Sequence, residues 1–207
     1  IRTPLGTVLH TGDWKFDPDP IVGKPADEEA LRRIGKEGIL ALVCDSTNVF
    51  EPGSSESEAD IFNNLNKIIA NSKGQVAVAC FATNLARLQT IARAAASNDR
   101  NVVLAGRSLK RITEAANENG YLLDCPKFLS EEDAGYLPDD KTLIICTGSQ
   151  GEPRAALTRI AENNHPRIEL NRGDTLIFSS RIIPGNEHAI NELQAKFIRR
   201  GINVITS

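Results

Sequence analysis

The sequence is short of several residue types: its 207 residues include no Met, one Trp, two Tyr and three His. The missing Met and the first residue, Ile1, predict a piece of a longer protein. Apolar runs such as Gly38–Cys44 and Thr142–Cys146 fall far short of the ~20 residues that a membrane-spanning helix needs. No apolar run follows a basic start, so the sequence predicts neither a secretory leader nor contact with a membrane.

Cysteines and net charge narrow the class of protein further. The four cysteines, Cys44, Cys80, Cys125 and Cys146, are widely spaced, and all but Cys125 end strand-like apolar runs. This spacing favours buried, reduced thiols in a cytoplasmic protein over disulfides or a zinc knuckle. The formal net charge of −3 argues against indiscriminate coating of nucleic acid, but it allows a local basic groove.

After residue 50 the sequence alternates between strand-like and helix-like segments. Near-continuous apolar strands between amphipathic helices predict an α/β fold, with a mostly parallel sheet and helices on both faces. The predicted strands cover residues 75–81, 101–106, 141–148, 174–180 and 202–206. The predicted helices cover residues 84–97, 108–119, 154–162 and 186–200.

The first 50 residues do not show this alternation of strand-like and helix-like segments. Strands are predicted over Thr7–Leu9 and Ile39–Asp45, separated by a proline- and acid-rich loop, Asp17–Glu29. The capping-box pattern from Ser55 to Glu58 then predicts the start of a helix that ends near residue 70. We place a domain boundary near residue 52, which gives an N-terminal domain of residues 1–51 and a second domain of residues 52–207.

Polar residues follow several predicted strands, and parallel sheets bind ligands at the carboxyl ends of their strands. Asp13 and Asp45 each follow a strand of the N-terminal domain. Asp13 either reaches a metal ion or bonds backbone amides in a turn, and the residues leave both open. His10 is more typical of a structural histidine than of a ligand, and two residues do not make the three or four ligands that zinc needs.

In the second domain the strand ends favour phosphate. The glycine-bracketed turn Thr147–Glu152 offers backbone amides to an anion, although it lacks the Lys of a P-loop, and a plain tight turn is the alternative. Arg107 and Arg181 suit phosphate recognition, or they pair with acidic residues. Together these strand ends indicate a nucleotide or nucleic-acid backbone as ligand.

Six segments, in this order, resemble the bacterial ribonuclease J family: HTGDWKFDPDP, CDSTN, CFATNLARLQ, AGRSLKR, CTGSQGEPRAAL and FSSRIIPGNE. The family belongs to the metallo-β-lactamase nucleases with a beta-CASP domain. The resemblance implies that a metallo-β-lactamase domain, with β-sheet layers between helices, is interrupted by a parallel α/β beta-CASP domain. RNA would enter the cleft between the two domains.

The resemblance also implies an activity. Two zinc ions, held by His and Asp residues, would activate a water that attacks the phosphodiester. Members degrade and process RNA from the 5′ end with a preference for a 5′ monophosphate, and they also cut internally. The whole protein is expected to form a homodimer or a homotetramer.

The family's functional residues can be carried over where the motifs match. Asp13 matches the metal-bridging aspartate, and Asp45 matches the acidic residue of the first beta-CASP motif, which supports the catalytic histidine region. Six further residues match family motifs and are expected to hold RNA phosphates: Asn84, Arg107, Ser108, Ser149, Gln150 and Arg181.

One departure from the family limits the expected activity. The sequence has no His-x-His-x-Asp-His run, which we expect N-terminal to Ile1, and we expect later histidines beyond Ser207. The chain alone should therefore bind no zinc tightly, hydrolyse nothing and at most bind RNA weakly. Two alternatives stay open: a free-standing nucleotide-binding α/β module that uses the Thr147–Glu152 turn, and a non-catalytic scaffold whose sheet edges serve assembly.

Overall fold

The computed structural model describes residues 1–47, 49–50, 52–53 and 57–206. The chain divides into two compact units, Ile1–Ser57 and Glu58–Ser207, called unit 1 and unit 2 below. The assignment of residues 1–51 and 52–207 to two named domains stays a prediction. None of the described helices has the length and the apolar composition to cross a membrane.

The described residues of unit 1 form a three-stranded sheet and one helix. The strands run in the order β1-β2-β3, with β1 antiparallel to β2 and β2 parallel to β3. The elements are β1 (Arg2–Thr3), β2 (Gly6–His10), α1 (Glu28–Glu37) and β3 (Ala41–Val43). Both predicted strands are present, but β3 is shorter than its predicted range.

The helix α1 was not predicted, and it begins inside the segment that the sequence assigns to a loop. The Asp27 side chain caps this helix by accepting a hydrogen bond from the Ala30 N–H at 2.8 Å. Glu28 and Glu29 follow in the first turn, where carboxylates interact favourably with the helix dipole. These acidic residues, which were predicted to lie in a loop, therefore mark the start of a helix.

Unit 2 is a five-stranded, all-parallel sheet with the order β5-β6-β4-β7-β8, which confirms the predicted fold class. Its strands are β4 (Val76–Ala79), β5 (Asn101–Ala105), β6 (Thr142–Cys146), β7 (Thr175–Phe178) and β8 (Asn203–Thr206). Its helices are α2 (Glu58–Asn71), α3 (Leu85–Ser97), α4 (Arg107–Glu118), α5 (Ala156–Ala161) and α6 (Glu187–Arg199). Short 3-10 helices cover Ala134–Tyr136 and Asp139–Lys141. The helix α2 begins at Glu58; Ser55, its predicted capping partner, lies outside the described residues.

Two hydrophobic cores cover the two faces of this sheet. Alternate residues of β4 point to opposite sides, so that Val76 and Val78 join one core while Ala77 and Ala79 join the other. The first core includes residues of α2, α3 and α4, and the second includes residues of α5 and α6. Every residue of β4, β6 and β7 is buried, which explains their near-continuous apolar sequences.

The helices that follow the central strands change from one face of the sheet to the other. The helix that follows β4 packs on one face, whereas the helices that follow its neighbours β6 and β7 pack on the other. Backbone connections therefore diverge on both sides of β4. In open parallel sheets such a point is where ligands bind.

All four cysteines are free thiols, but only two of them are buried. Cys80 and Cys146 lie inside the cores, and burial raises the pKa of Cys80 to about 12 and raises that of Cys146 as well. Cys44 is exposed and Cys125 is partly buried, so the expectation of four buried thiols is wrong for these two. Cys44 follows β3, all of whose residues are exposed.

Candidate functional site

In unit 1 the two predicted acidic residues follow neighbouring parallel strands. Asp13 lies just beyond β2 and is exposed, while Asp45 lies just beyond β3 and is partly buried. The Thr11 N–H donates to the Val43 carbonyl at 3.0 Å, and the Trp14 indole N–H donates to the Asp45 carbonyl at 3.1 Å. These bonds join the two loops, so both aspartates lie at one edge of the sheet.

Asp45 is held as a carboxylate by a local turn. Its Oδ1 accepts hydrogen bonds from the Thr47 hydroxyl at 2.6 Å and from the Thr47 N–H at 2.9 Å. Both bonds favour the charged form, and the hydroxyl bond, followed by the backbone bond, lowers the pKa of Asp45 below 3.8. The group is therefore ionised at neutral pH and has the charge that a metal ligand or a hydrogen-bond acceptor needs.

Replacing Thr47 by Val should raise the pKa of Asp45 part of the way back, because the backbone donor remains while the hydroxyl is lost. An NMR titration of the Asp45 carboxyl carbon measures this. The hydrogen bonds that lower this pKa also stabilise the folded state. Their contribution is fully present at a pH above 3.8, the ordinary pKa, and it is lost as the pH falls through the pKa of Asp45 in the folded state. Thr11→Val is the control, since the Thr11 hydroxyl donates to the Gly12 carbonyl instead. If the pKa of Asp45 is unchanged in Thr47→Val, the Thr47 hydroxyl is not the main cause of the lowered pKa.

The residues present do not by themselves fit a zinc centre. Zinc takes three or four ligands, and within the described ranges no group of three or more His, Cys, Asp or Glu residues could hold a metal ion. His10, the histidine of this edge, accepts a hydrogen bond at Nδ1 from the Gly12 N–H at 3.1 Å. Asp13 and Asp45 can each contribute one carboxylate, and a complete centre would require other ligands.

In unit 2 the predicted phosphate-binding residues all lie beyond the carboxyl ends of adjacent strands. We call this row, from β5 through β6 and β4 to β7, the carboxyl edge. Along it lie in turn Arg107 and Ser108, Ser149 and Gln150, Asn84, and Arg181. At about 4.8 Å between neighbouring strands, the row spans about 14 Å. The structure therefore brings together residues that are up to 97 positions apart, between Asn84 and Arg181.

Two of these residues, Arg107 and Ser108, occupy the exposed first turn of α4. The neighbouring Gly106 N–H is already used, because it donates to Glu131 Oε1 at 2.9 Å. Glu131 also lies 3.9 Å from Lys110 Nζ. Glu131 therefore satisfies the backbone at the start of the helix, and the Arg107 and Ser108 side chains remain exposed.

The glycine-bracketed turn after β6 is closed by its own chain. The Gln150 N–H donates to Glu152 Oε2 at 3.0 Å, and the Gly151 N–H donates to the Gly148 carbonyl at 3.1 Å. An acidic side chain thus lies where an anion would have to bind. This arrangement favours the tight-turn alternative, and it removes the feature on which a free-standing nucleotide-binding module would depend.

Gln150 is buried, and its side chain holds the loop of residues 180–186 in place. Its Nε2 donates to the Arg181 carbonyl at 2.9 Å and to Ser180 Oγ at 3.3 Å. Its Oε1 accepts from the Ile183 N–H at 2.9 Å and from Asn186 Nδ2 at 3.3 Å. The side-chain amide is therefore engaged with protein groups, and Gln150 fixes the loop that carries Arg181.

Asn84 and Ser149 differ in how their side chains are used. Asn84 Oδ1 accepts from the Arg87 N–H at 3.0 Å and so caps α3, a role that the sequence signals by an Asn before a helix. Ser149 is only 2% exposed, and no buried side-chain nitrogen or oxygen atom of the described residues lacks a hydrogen-bond partner.

A buried ion pair at the carboxyl edge was missed. Glu58, the first residue of α2, accepts two hydrogen bonds from the Arg87 guanidinium in the first turn of α3. The sequence placed Glu58 in a capping box and gave Arg87 no role, because nothing local indicates that two residues 29 positions apart will meet. The sequence offered one indication only: Glu58 begins an acidic first turn of a helix.

The fold and these strand-end residues define an α/β domain that gathers polar and cationic side chains at one edge of a parallel sheet. Residues 73–197 match the family model described as "Ribonuclease J, beta-CASP domain". That match covers more than half of the chain. The chain therefore belongs to the ribonuclease J family of nucleases.

Several curated relatives support this assignment. The chain is 48% identical to "Ribonuclease J" of Sinorhizobium meliloti over 206 residues, which is 100% of this chain and 36% of that protein. It is 40% identical to "Ribonuclease J" of Thermus thermophilus, over 99% of this chain and 36% of that protein. It is 42% identical to "Ribonuclease J" of Mycolicibacterium smegmatis, over 100% of this chain and 37% of that protein. The chain thus spans about a third of the length of these relatives.

Proposed function

We propose that this chain is the RNA-binding part of a ribonuclease and that the phosphodiester backbone of RNA lies along the carboxyl edge. The observation that carries the proposal is the row of adjacent strand ends at the carboxyl edge, where Arg107, Ser108 and Arg181 are exposed. Guanidinium and hydroxyl groups bind phosphate oxygens without reading sequence. The net charge of −3 would repel RNA from much of the remaining surface, which favours binding at this edge.

The nature of the ligand follows from the same chemistry. A 5′ monophosphate adds charge to the end of the strand and offers more acceptor oxygens to Arg107 or Arg181 than a hydroxyl end does. We therefore propose RNA with a 5′ monophosphate as the preferred substrate. Degradation from the 5′ end, internal cleavage, a cytoplasmic location and a homodimeric or homotetrameric assembly are further proposals for the whole protein, supported by the family assignment.

Asp13 and Asp45 are the proposed contribution of unit 1 to the reaction. We propose that the whole protein requires zinc, that Asp13 supplies one metal ligand, and that Asp45 supports the neighbouring catalytic histidine region. The adjacent positions of these two carboxylates beyond β2 and β3 support this assignment. Because the described residues do not complete a centre, the remaining ligands must come from other residues of the whole protein.

Binding to a 5′-phosphorylated, single-stranded oligoribonucleotide tests the proposed RNA site. We expect the double variant Arg107→Ala/Arg181→Ala to bind at least about tenfold more weakly than the wild type. The slope of log K against log salt should fall by about 1.4, or about 0.7 for each lost phosphate contact. Arg199→Ala is the control, since Arg199 is an exposed arginine at the last position of α6, away from the carboxyl edge. Equal weakening by the control would contradict the proposed site.

A hydrolysis assay with RNA, the 207-residue chain and added zinc tests whether the metal centre needs ligands from outside this chain. The chain should show no robust turnover, because Asp13 and Asp45 alone cannot complete a zinc centre. Robust turnover that is lost in Asp13→Ala would show that this chain holds a complete centre. The proposal that further ligands are required would then be wrong.

A further inference from the structure

The buried ion pair between Glu58 and Arg87 is unusually well connected. Arg87 Nε donates to Glu58 Oε2 at 3.2 Å, and Arg87 Nη2 donates to Glu58 Oε1 at 3.0 Å. The Arg87 side chain is only 14% exposed and the Glu58 side chain only 10%. The Thr90 hydroxyl donates a third hydrogen bond to Glu58 Oε2 at 3.1 Å. The carboxylate is therefore held in one orientation, and so is the guanidinium that it binds.

Arg87 uses the other side of its guanidinium to hold the end of β7. Its Nη1 donates to the Ser179 carbonyl at 2.9 Å and to Ser179 Oγ at 2.8 Å. Ser179 is the first residue beyond β7, and it is buried. One planar side chain therefore joins the start of α2, the start of α3 and the end of a central strand.

Stability alone is a weak reason for such a pair. Removing two charges from water costs several kcal/mol for each ion, and well-packed hydrophobic residues of similar volume often stabilise a protein as well or better. A hydrophobic pair could not bond both the carbonyl and the hydroxyl of Ser179. Because the arginine fork has a fixed geometry, it sets the position of that residue.

The segment that follows Ser179 carries Arg181 and is anchored a second time. Gln150 bonds Ser180, Arg181 and Ile183 from the neighbouring β6 loop. Arg181 thus lies between two anchors, Arg87 before it and Gln150 beside it. We propose that Glu58 and Arg87 are positioning residues that place Arg181 for the RNA backbone without contacting RNA themselves. This inference rests on the proposed RNA site.

Arg100 provides a matched control within the same unit. It is a buried arginine, 7% exposed, that also donates to backbone carbonyls. Its acceptors are Ser72 at 2.6 Å, Gly74 at 2.8 Å and Thr142 at 3.2 Å. Thr142 begins β6, so this cluster lies at the opposite, amino end of the sheet. Arg100→Met and Arg87→Met each remove one buried charge and its hydrogen bonds, which go only to backbone carbonyls for Arg100 and to one carbonyl and two side chains for Arg87.

The test compares binding of the 5′-phosphorylated oligoribonucleotide by Arg87→Met, Arg100→Met, Arg181→Ala and Arg87→Met/Arg181→Ala. All are measured below the unfolding temperature of the least stable variant. Arg87→Met and Arg181→Ala should each weaken binding roughly tenfold, and each should reduce the salt slope by about 0.7. Arg100→Met should stay within about twofold of the wild type, although it also unfolds at a lower temperature. The double variant should bind no more weakly than Arg181→Ala, because Arg87 acts through Arg181.

The outcomes separate this inference from the proposed function. If Arg181→Ala weakens binding while Arg87→Met behaves like Arg100→Met, the positioning role is wrong and the RNA site stands. An additive loss in the double variant also overturns the inference, since Arg87 would then act independently of Arg181. If Arg181→Ala binds as the wild type does, the proposed RNA site itself fails, and the positioning role fails with it.

Discussion

Gly148→Ala lowers the free energy of unfolding of unit 2 by about 2–5 kcal/mol. Gly148 follows β6 with a φ of +113°, a conformation that L side chains rarely adopt. A Cβ at this position would lie 2.8 Å from the Ala155 Cβ and 2.9 Å from the Leu157 Cβ. Leu157 is fully buried in the core, so neither backbone strain nor the close contact can be relieved cheaply.

Urea denaturation followed by far-UV circular dichroism measures this loss. Circular dichroism is suited to this measurement because five of the six α-helices of the described residues belong to unit 2, whereas the single tryptophan, Trp14, belongs to unit 1. The control is Gly135→Ala, because a Cβ at Gly135 would meet no atom within 4 Å. The control should change stability by no more than about 0.5 kcal/mol. Equal stability of the two variants would contradict the described packing of the turn after β6.

Glu58→Leu lowers the free energy of unfolding by about 3–5 kcal/mol, because it leaves the Arg87 charge buried without its partner. Adding Arg87→Met to this variant removes the stranded charge, and most of the lost stability should return. The wild-type pair and the double hydrophobic variant should therefore differ far less than either differs from Glu58→Leu. This non-additivity is expected for two residues in direct contact.

The same urea titration measures the cycle, with Lys196→Met as the surface control. Lys196 pairs with Glu162 at 3.4 Å, and the two side chains are 33% and 42% exposed. Loss of an exposed pair of this kind should cost no more than about 1 kcal/mol. If the double variant is as unstable as Glu58→Leu alone, the cost lies in lost packing, and the ion pair is not the cause.

Much of the fold follows from the sequence because each strand of unit 2 carries its own signal. The runs that became β4, β6 and β7 are short, apolar and bounded by glycines or polar residues. The strands are shorter than predicted because the end residues of the predicted ranges belong to the loops that lead to and from the helices. The helix α1 was missed for the opposite reason: its acidic start resembles a loop, and none of its residues is buried.

The positions of the candidate site residues could be predicted, but the groups that their side chains contact could not. Parallel sheets gather their strand ends, so Arg107, Ser149 and Arg181 could be placed at one edge from the sequence alone. The uses of individual side chains depend on contacts between distant segments. Gln150 bonds Ile183, 33 positions away, and no pattern around either residue signals this. The contacts by which Gln150 holds this loop could therefore not be predicted, and its expected role in binding phosphate stays a prediction.

The most direct test of the proposed RNA site is an NMR titration of the isotope-labelled chain with a 5′-phosphorylated oligoribonucleotide. We predict that amide signals shift at the carboxyl edge, at Arg107, Ser108, Ser149 and Arg181. Signals at the amino end of the sheet, such as those of Gly74 and Thr142, should stay in place. Shifts confined to the amino end, or spread evenly over the surface, would contradict the central claim.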